Sequence, residues 1–321
     1  MNIIKTLKSL LLITALGTTV TMASCKKSDP VVEPTPPVVT PTVVGIAQSD
    51  TSFSILVAAV VKAGLVNTLS DLTKSYTVFA PTNNAFRAAG FTEASINGLS
   101  AADVTNVLTP ILTYHVLGSK VLASGVPASD AVTTLNTKKL FASSNANGVF
   151  LNGVKVVTPN LNASNGVVHV IGKVLIPPTQ TIAQIVTTNP SFSLLLRAVS
   201  VAGLASTLDG PGKFTVFAPV NTGFPNSLNT NALIDAAMQP ACEAIVKSHA
   251  FGTNICAGDL VAGVTGPTLN TTKTLTITLP PATAAPTVKI VGGTNTNASN
   301  ITTTDIIATN GIIHVIDRLL Q

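Results

Sequence analysis

Thr77-Val78-Phe79-Ala80-Pro81 returns as Thr215-Val216-Phe217-Ala218-Pro219, five identical residues in each copy. A β-branched and aromatic run closed by proline reads as a strand that stops, because proline has no N–H to give to a ladder. Thr82 and Asn83 then stand where an N-cap belongs, ahead of a short helix carrying Phe86. Upstream, Ser52-Phe53-Ser54 recurs as Ser191-Phe192-Ser193, an offset near 139 residues. Behind each copy the apolar positions (Phe53, Leu56, Val57, Val60; Phe192, Leu195, Leu196, Val199) share one helical face, which Gly64 or Gly203 closes. Downstream, each copy ends in an Asn-Gly pair and an apolar strand: Asn165-Gly166 before Val167–Ile171, and Asn310-Gly311 before Ile312–Ile316. Asn-Gly predicts a tight hairpin turn with positive φ, and apolar residues on both faces predict a strand buried on both sides. A unit this long is a whole domain, since solenoid repeats run about 20–50 residues.

Together these motifs resemble the fasciclin-like domain family. The resemblance rests on the box around Phe79 and Pro81 with Phe86, the Tyr114-His115 pair, and the closing strand with His169. It covers nearly all of residues 45–321 as two domains, 45–178 and 179–321. In the second copy Phe217, Pro219, His249 and His314 take the matching places. The resemblance implies an α+β fold, each domain a β-sheet wedge with a bundle of short helices. It also implies an extracellular role in adhesion or matrix contact, without catalysis. The second copy departs from the pattern: Ser248 stands where the first has Tyr114, and Pro225 after Phe224 is expected to break the short helix of copy one.

The composition sets limits on other functions. The 321 residues are 46% hydrophobic, enough for real cores, but only 4% aromatic and 10% charged, with no Trp. Of the net charge of +5, two units come from Lys5 and Lys8 near the N-terminus, and the rest is scattered. No basic stripe with interleaved aromatics exists to hold nucleic acid. No phosphate-cradling loop, serine elbow or paired metal-ligand motif occurs, so neither a cofactor nor a metal is expected. His115, His169, His249 and His314 all fall in the repeated motifs. Two imidazoles per domain make an incomplete zinc site, and His169 shares a face with Val167 and Ile171, so all four read as structural.

Cys242 and Cys256 read either as buried thiols or, in an oxidising compartment, as a disulfide contributing at most about 3 kcal/mol. The compartment is indicated by the N-terminus. Lys5 and Lys8 precede the apolar run Leu10–Ile13, and Met22-Ala23-Ser24-Cys25 resembles a bacterial lipoprotein signal cut before a lipidated Cys25. Residues 1–24 are thus read as signal peptide. Residues 25–44, with five prolines from Pro30 to Pro41, are read as a semi-rigid tether. Lys26 after the cysteine points, by resemblance, to the outer membrane. The run from Gly292 to Thr304 reads as a polar surface loop enlarging the second copy. The expected function is a non-catalytic adhesion or interaction module, held by its lipid and contacting a surface or matrix protein or glycan. The alternative is a carbohydrate- or small-ligand-binding lipoprotein, which the shortage of aromatic rings disfavours.

Overall fold

The repeated box is a strand, Tyr76–Pro81, with every residue buried, and the closing segment Gly166–Ile171 is a second fully buried strand. They are parallel neighbours: Tyr76 faces Gly166, Phe79 faces His169 and Pro81 faces Ile171. The second repeat builds the same pair from Phe214–Pro219 and Gly311–Ile316, with Phe217 facing His314. A strand covered on both faces reads as a continuous apolar run, which is why both segments lack polar alternation. In the computed structural model residues 40–260, 265–278, 287–291 and 298–320 are described. The residues read as signal peptide, Cys25 and most of those read as tether lie outside them.

Around each parallel pair the described residues form a seven-stranded sheet with the same topology. In the first repeat the order runs Val116–Leu117, Tyr76–Pro81, Gly166–Ile171, Val154–Ala163, Gly148–Leu151, Lys139–Asn145, Ser129–Thr133. The long strand Val154–Ala163 shifts register against the closing strand twice, between Val156 and Thr158 and between Thr158 and Leu161. Such bulges bend a strand and sharpen its twist, so this strand turns one sheet into two wings of a wedge. Ser299–Ala308 repeats the two shifts in the second domain. Short helices pack on the wing that holds the parallel pair. Thr82 caps Asn83–Ala88 through Ala85 N–H, as its sequence predicts. The stripes of Ser54–Lys62 and Ser193–Val201 face the core, and both helices end at a glycine in the left-handed region, Gly64 (φ 68°) and Gly203 (φ 69°). The α+β wedge with short helices is the architecture expected.

Several local expectations need correction. The tether does not reach residue 44: Thr42 caps a helix, Val43–Ser49, whose Val43 and Val44 are buried in the first core. Hydrophobic burial there outweighs the extended preference of the prolines upstream. The Asn-Gly pairs do not serve as positive-φ turn centres. Ala163 pairs with Gly166, so Ser164 and Asn165 are the turn, and neither has positive φ. Gly166 is needed for close approach, since a Cβ there would lie 2.0 Å from Tyr76 O. Asn165 is a buried clamp: Oδ1 accepts from Val43 N–H (2.9 Å) and Nδ2 donates to Leu69 O (2.8 Å). Asn310 does the same between Ile182 N–H and Leu208 O. The polar loop from Gly292 is also shorter than read, because Ser299–Ala308 is a strand and residues 292–297 lie outside those described. Beside Pro225 the chain is extended at Phe224 after one 3-10 turn, Asn221–Gly223, as expected.

The two domains pack on each other. Phe141 of the first meets Cys256 and Ile312 of the second in a small shared core. Around it, Ser129 Oγ donates to Asn254 O (2.8 Å), Asn145 Nδ2 donates to Gly258 O (2.8 Å), and Lys213 pairs with Asp130 at 2.5 Å.

Candidate functional site

The four motif histidines are fully enclosed, and backbone groups occupy both ring nitrogens of each. His115 follows the helix Thr109–Tyr114, and its Nδ1–H donates back to Ile111 O (2.8 Å) while Nε2 accepts from Leu175 N–H (2.9 Å). His249 does the same with Ile245 O (2.8 Å) and Leu320 N–H (2.8 Å). Each therefore pins the tail of its domain to the helix before the turn. On the closing strands the tautomer reverses. His169 Nε2–H donates to Val121 O (2.9 Å) and Nδ1 accepts from Asn160 N–H (3.2 Å). His314 donates to Ile255 O (2.8 Å) and receives Asp305 N–H at 3.4 Å. Their rings stack on the box phenylalanines, Phe79–His169 at 5.8 Å and Phe217–His314 at 5.3 Å between centroids.

This geometry fixes their chemistry. Burial disfavours the imidazolium, pushing His115 and His249 down to about 4 from an ordinary 6.5, and also lowers His169 and His314. A neutral imidazole with both nitrogens engaged has neither a lone pair for a metal nor a proton for a substrate. Among the described residues, no three His, Cys, Asp or Glu side chains gather as a metal site. Pro81 and Pro219 end the box strands opposite Ile171 and Ile316.

Tyr114 is completely buried. Its hydroxyl donates to Lys139 O (2.8 Å) and accepts from Asn152 Nδ2 (2.9 Å), and burial raises its pKa to about 12. It ties the helix to the second wing of the wedge. Ser248 cannot span that distance. Its hydroxyl turns back to Ala244 O (2.7 Å) and receives Asn270 Nδ2 (3.2 Å), so the tie is rebuilt from a short side chain and a longer partner.

Of the two readings of Cys242 and Cys256, the structure has the buried thiols rather than the disulfide. Cys242 and Cys256 are free, buried thiols in different cores. Cys242 lies on the helix Met238–Ser248 and points toward Ile234 O (3.5 Å), while Cys256 is taken up by the contact with the first domain. Cys256 thus serves the domain contact rather than a bridge, and burial raises both thiols. Sequence reasoning also missed Asp305, which sits at φ 57°, accepts from Ala257 N–H (2.8 Å), and has its carboxyl raised by burial. Its counterpart in the first repeat, Asn160, also has positive φ (61°) and accepts from Ala123 N–H (2.9 Å). Asn and Asp tolerate that region best, so Asn160 in Pro-Asn-Leu and Asp305 in Thr-Asp-Ile were the available signal. No single helix among the described residues is long and apolar enough to cross a membrane.

Comparison with known proteins agrees with this architecture. The fasciclin domain model matches residues 51–177 and 190–321. Transforming growth factor-beta-induced protein ig-h3 of Oryctolagus cuniculus is 30% identical over 248 residues, covering 76% of this chain and 34% of that protein. Human periostin is 27% identical over 251 residues, 77% of this chain and 28% of periostin. The chain thus spans about a third of the length of these relatives. Protein sll1483 of Synechocystis sp. is 39% identical over 137 residues, 43% of this chain and 74% of that protein. A FAS1 domain pair from the insect cell adhesion molecule fasciclin I aligns at 22% identity and a TM-score of 0.41, covering 82% of this chain and 94% of that one.

Proposed function

The chain belongs to the fasciclin-domain family, and on that premise we propose that it is a non-catalytic adhesion or interaction module, displayed at the cell envelope on a lipidated Cys25. The observation that carries the non-catalytic part is the state of the four motif histidines. Each is neutral and closed by a backbone donor and a backbone acceptor, so these side chains are consumed in holding the fold. The fasciclin resemblance supports adhesion, and the segment from Lys5 to Cys25 supports the anchor.

The experiment is palmitate labelling and membrane fractionation of the full chain beside Cys25→Ala, followed by binding of chain-coated beads to cells and matrix proteins. The expected result is labelling and membrane partition that Cys25→Ala loses, with adhesion of the beads. Labelling that survives in Cys25→Ala would refute the anchor. Beads that ignore cells and matrix while the chain binds one defined oligosaccharide on a glycan array would replace adhesion with the ligand-binding reading.

A further inference from the structure

The loop after each tyrosine–histidine turn is clamped by a buried threonine of the box. In the first repeat Thr77 Oγ1 donates to Ser119 O (2.7 Å) and accepts from Val121 N–H (2.8 Å). In the second, Thr215 Oγ1 donates to Thr253 O (2.7 Å) and accepts from Ile255 N–H (2.8 Å). The residue held between the clamped peptides is Lys120 in one copy and Asn254 in the other. Lys120 is exposed, whereas Asn254 is only 5% exposed beneath the first domain. Its backbone oxygen is used by Ser129, but neither Oδ1 nor Nδ2 has a hydrogen-bond partner among the described residues. The other buried side-chain atom of this kind, Ser143 Oγ, belongs to the residue that pairs with Ser129 on the facing strands. Unmet polar atoms from both domains therefore gather at one boundary.

Asn254 stands in the wall of a cleft of about 910 Å³ between the domains. Ile255 gives the cleft a half-buried apolar surface, backed by the almost fully covered Phe251, Leu275 and Ile277, and Lys213 and Asp259 mark its polar rim. A buried carboxamide unmet at both ends is destabilising, and native folds seldom keep one unless a further group satisfies it. Both polar atoms are covered in this structure, so pairing with a ligand requires the side chain to turn toward the cleft, a rotation that leaves the backbone held by the threonine clamp. A carboxamide offers one donor and one acceptor side by side. An extended peptide presents the complementary pair, the N–H and C=O of one residue directed to the same side.

We infer that the cleft beside Asn254 is a binding site for an extended peptide segment. The Asn254 carboxamide pairs with one residue's N–H and C=O, and an apolar side chain of the peptide rests over Ile255. A sugar diol carries the same donor–acceptor pair, but sugar sites stack rings, and the cleft's Phe251 is only 4% exposed. The site lies outside the grounds for the adhesion proposal, so either can fail while the other stands.

The test uses the full chain and an end-blocked hexapeptide pool randomised over aliphatic and hydroxyl-bearing residues, read by calorimetry and by NMR of side-chain amides. Saturable binding should shift the Asn254 amide signals. Asn254→Leu, close in shape and without polar atoms, should weaken binding about tenfold or more, the equivalent of roughly one lost hydrogen-bonded pair. That variant should melt no lower than the wild type, and Lys120→Leu should leave binding unchanged. The inference is overturned by absence of saturable binding, by binding that Asn254→Leu leaves intact, or by amide shifts with oligosaccharides but not peptides. A lower melting temperature in Asn254→Leu would also overturn it, by revealing that the amide already has a partner, such as an enclosed water.

Discussion

The two domains share a backbone frame and differ in the side chains that close it. Both stack a box phenylalanine on a strand histidine, both clamp a loop with a buried threonine, and both staple an entry helix with a buried asparagine. They part at Tyr114 against Ser248, Lys120 against Asn254 and Asn160 against Asp305. The shared contacts run mostly from side chain to backbone, so they fix where the chain goes. The differing residues lie where a domain meets its second wing or its neighbour. Such positions depend on what covers them, and only the second domain has the first packed over its loop.

The largest expected effect treats the domains alike. His115 and His249 titrate near 4 in the folded chain against an ordinary 6.5. The unfolded chain therefore takes up protons first as pH falls. The stability linked to these groups is complete above about pH 6.5 and is lost as pH drops toward 4, by at most about 3 kcal/mol for each imidazole. Denaturant midpoints measured between pH 7 and 4.5 should fall steadily. A flat profile would mean that the folded chain accepts these protons, and a response confined to one domain would break the equivalence of the frames.

A smaller effect should separate the copies. Tyr114→Phe strands Lys139 O and Asn152 Nδ2 in a buried site and should cost about 1–3 kcal/mol, all of it in the first domain. Ser248→Ala removes a hydroxyl that mainly folds back on its own helix and should cost less than about 1 kcal/mol. Equal losses in urea unfolding would show that the serine has taken over the tyrosine's whole role. The smallest effect concerns the contact between domains. Lys213 and Asp130 are each about half exposed, so Lys213→Ala should change stability by less than about 1 kcal/mol, and less still in high salt. A larger loss would place the domain contact in that ion pair rather than in Phe141, Cys256 and Ile312.

Duplication is what made the architecture readable. A strand ended by Pro81 or a helix closed by Gly64 is weak evidence once and strong evidence twice. Pairing was not readable, because the apolar runs around Phe79 and His169 carry no mark of lying parallel to each other. Asn165-Gly166 misled for a related reason: the dipeptide is turn chemistry locally, but its two residues are retained for contacts with Val43 and Tyr76, far away in the chain. The histidines were assigned as structural from their motif positions, yet their two tautomers follow from backbone partners that only folding supplies. The roles of Cys256, Asp305 and Asn254 were not readable, since their surroundings include the surface of the other domain or a bulge without periodic signature.

The asparagine staple also has a mechanical meaning. Ser164 N–H donates to Pro41 O (2.9 Å) and Val43 N–H to Asn165 Oδ1 (2.9 Å), so the point where the chain enters the first domain is fastened to the hairpin before Gly166–Ile171. Tension applied from the N-terminal side therefore arrives at one of the two fully buried strands of the domain, Gly166–Ile171. That strand is bound along its whole length to Tyr76–Pro81 and, across the hairpin, to Val154–Ala163, so the load divides between two neighbours. A domain wired in this way meets a pull at its point of entry with two strand interfaces at once.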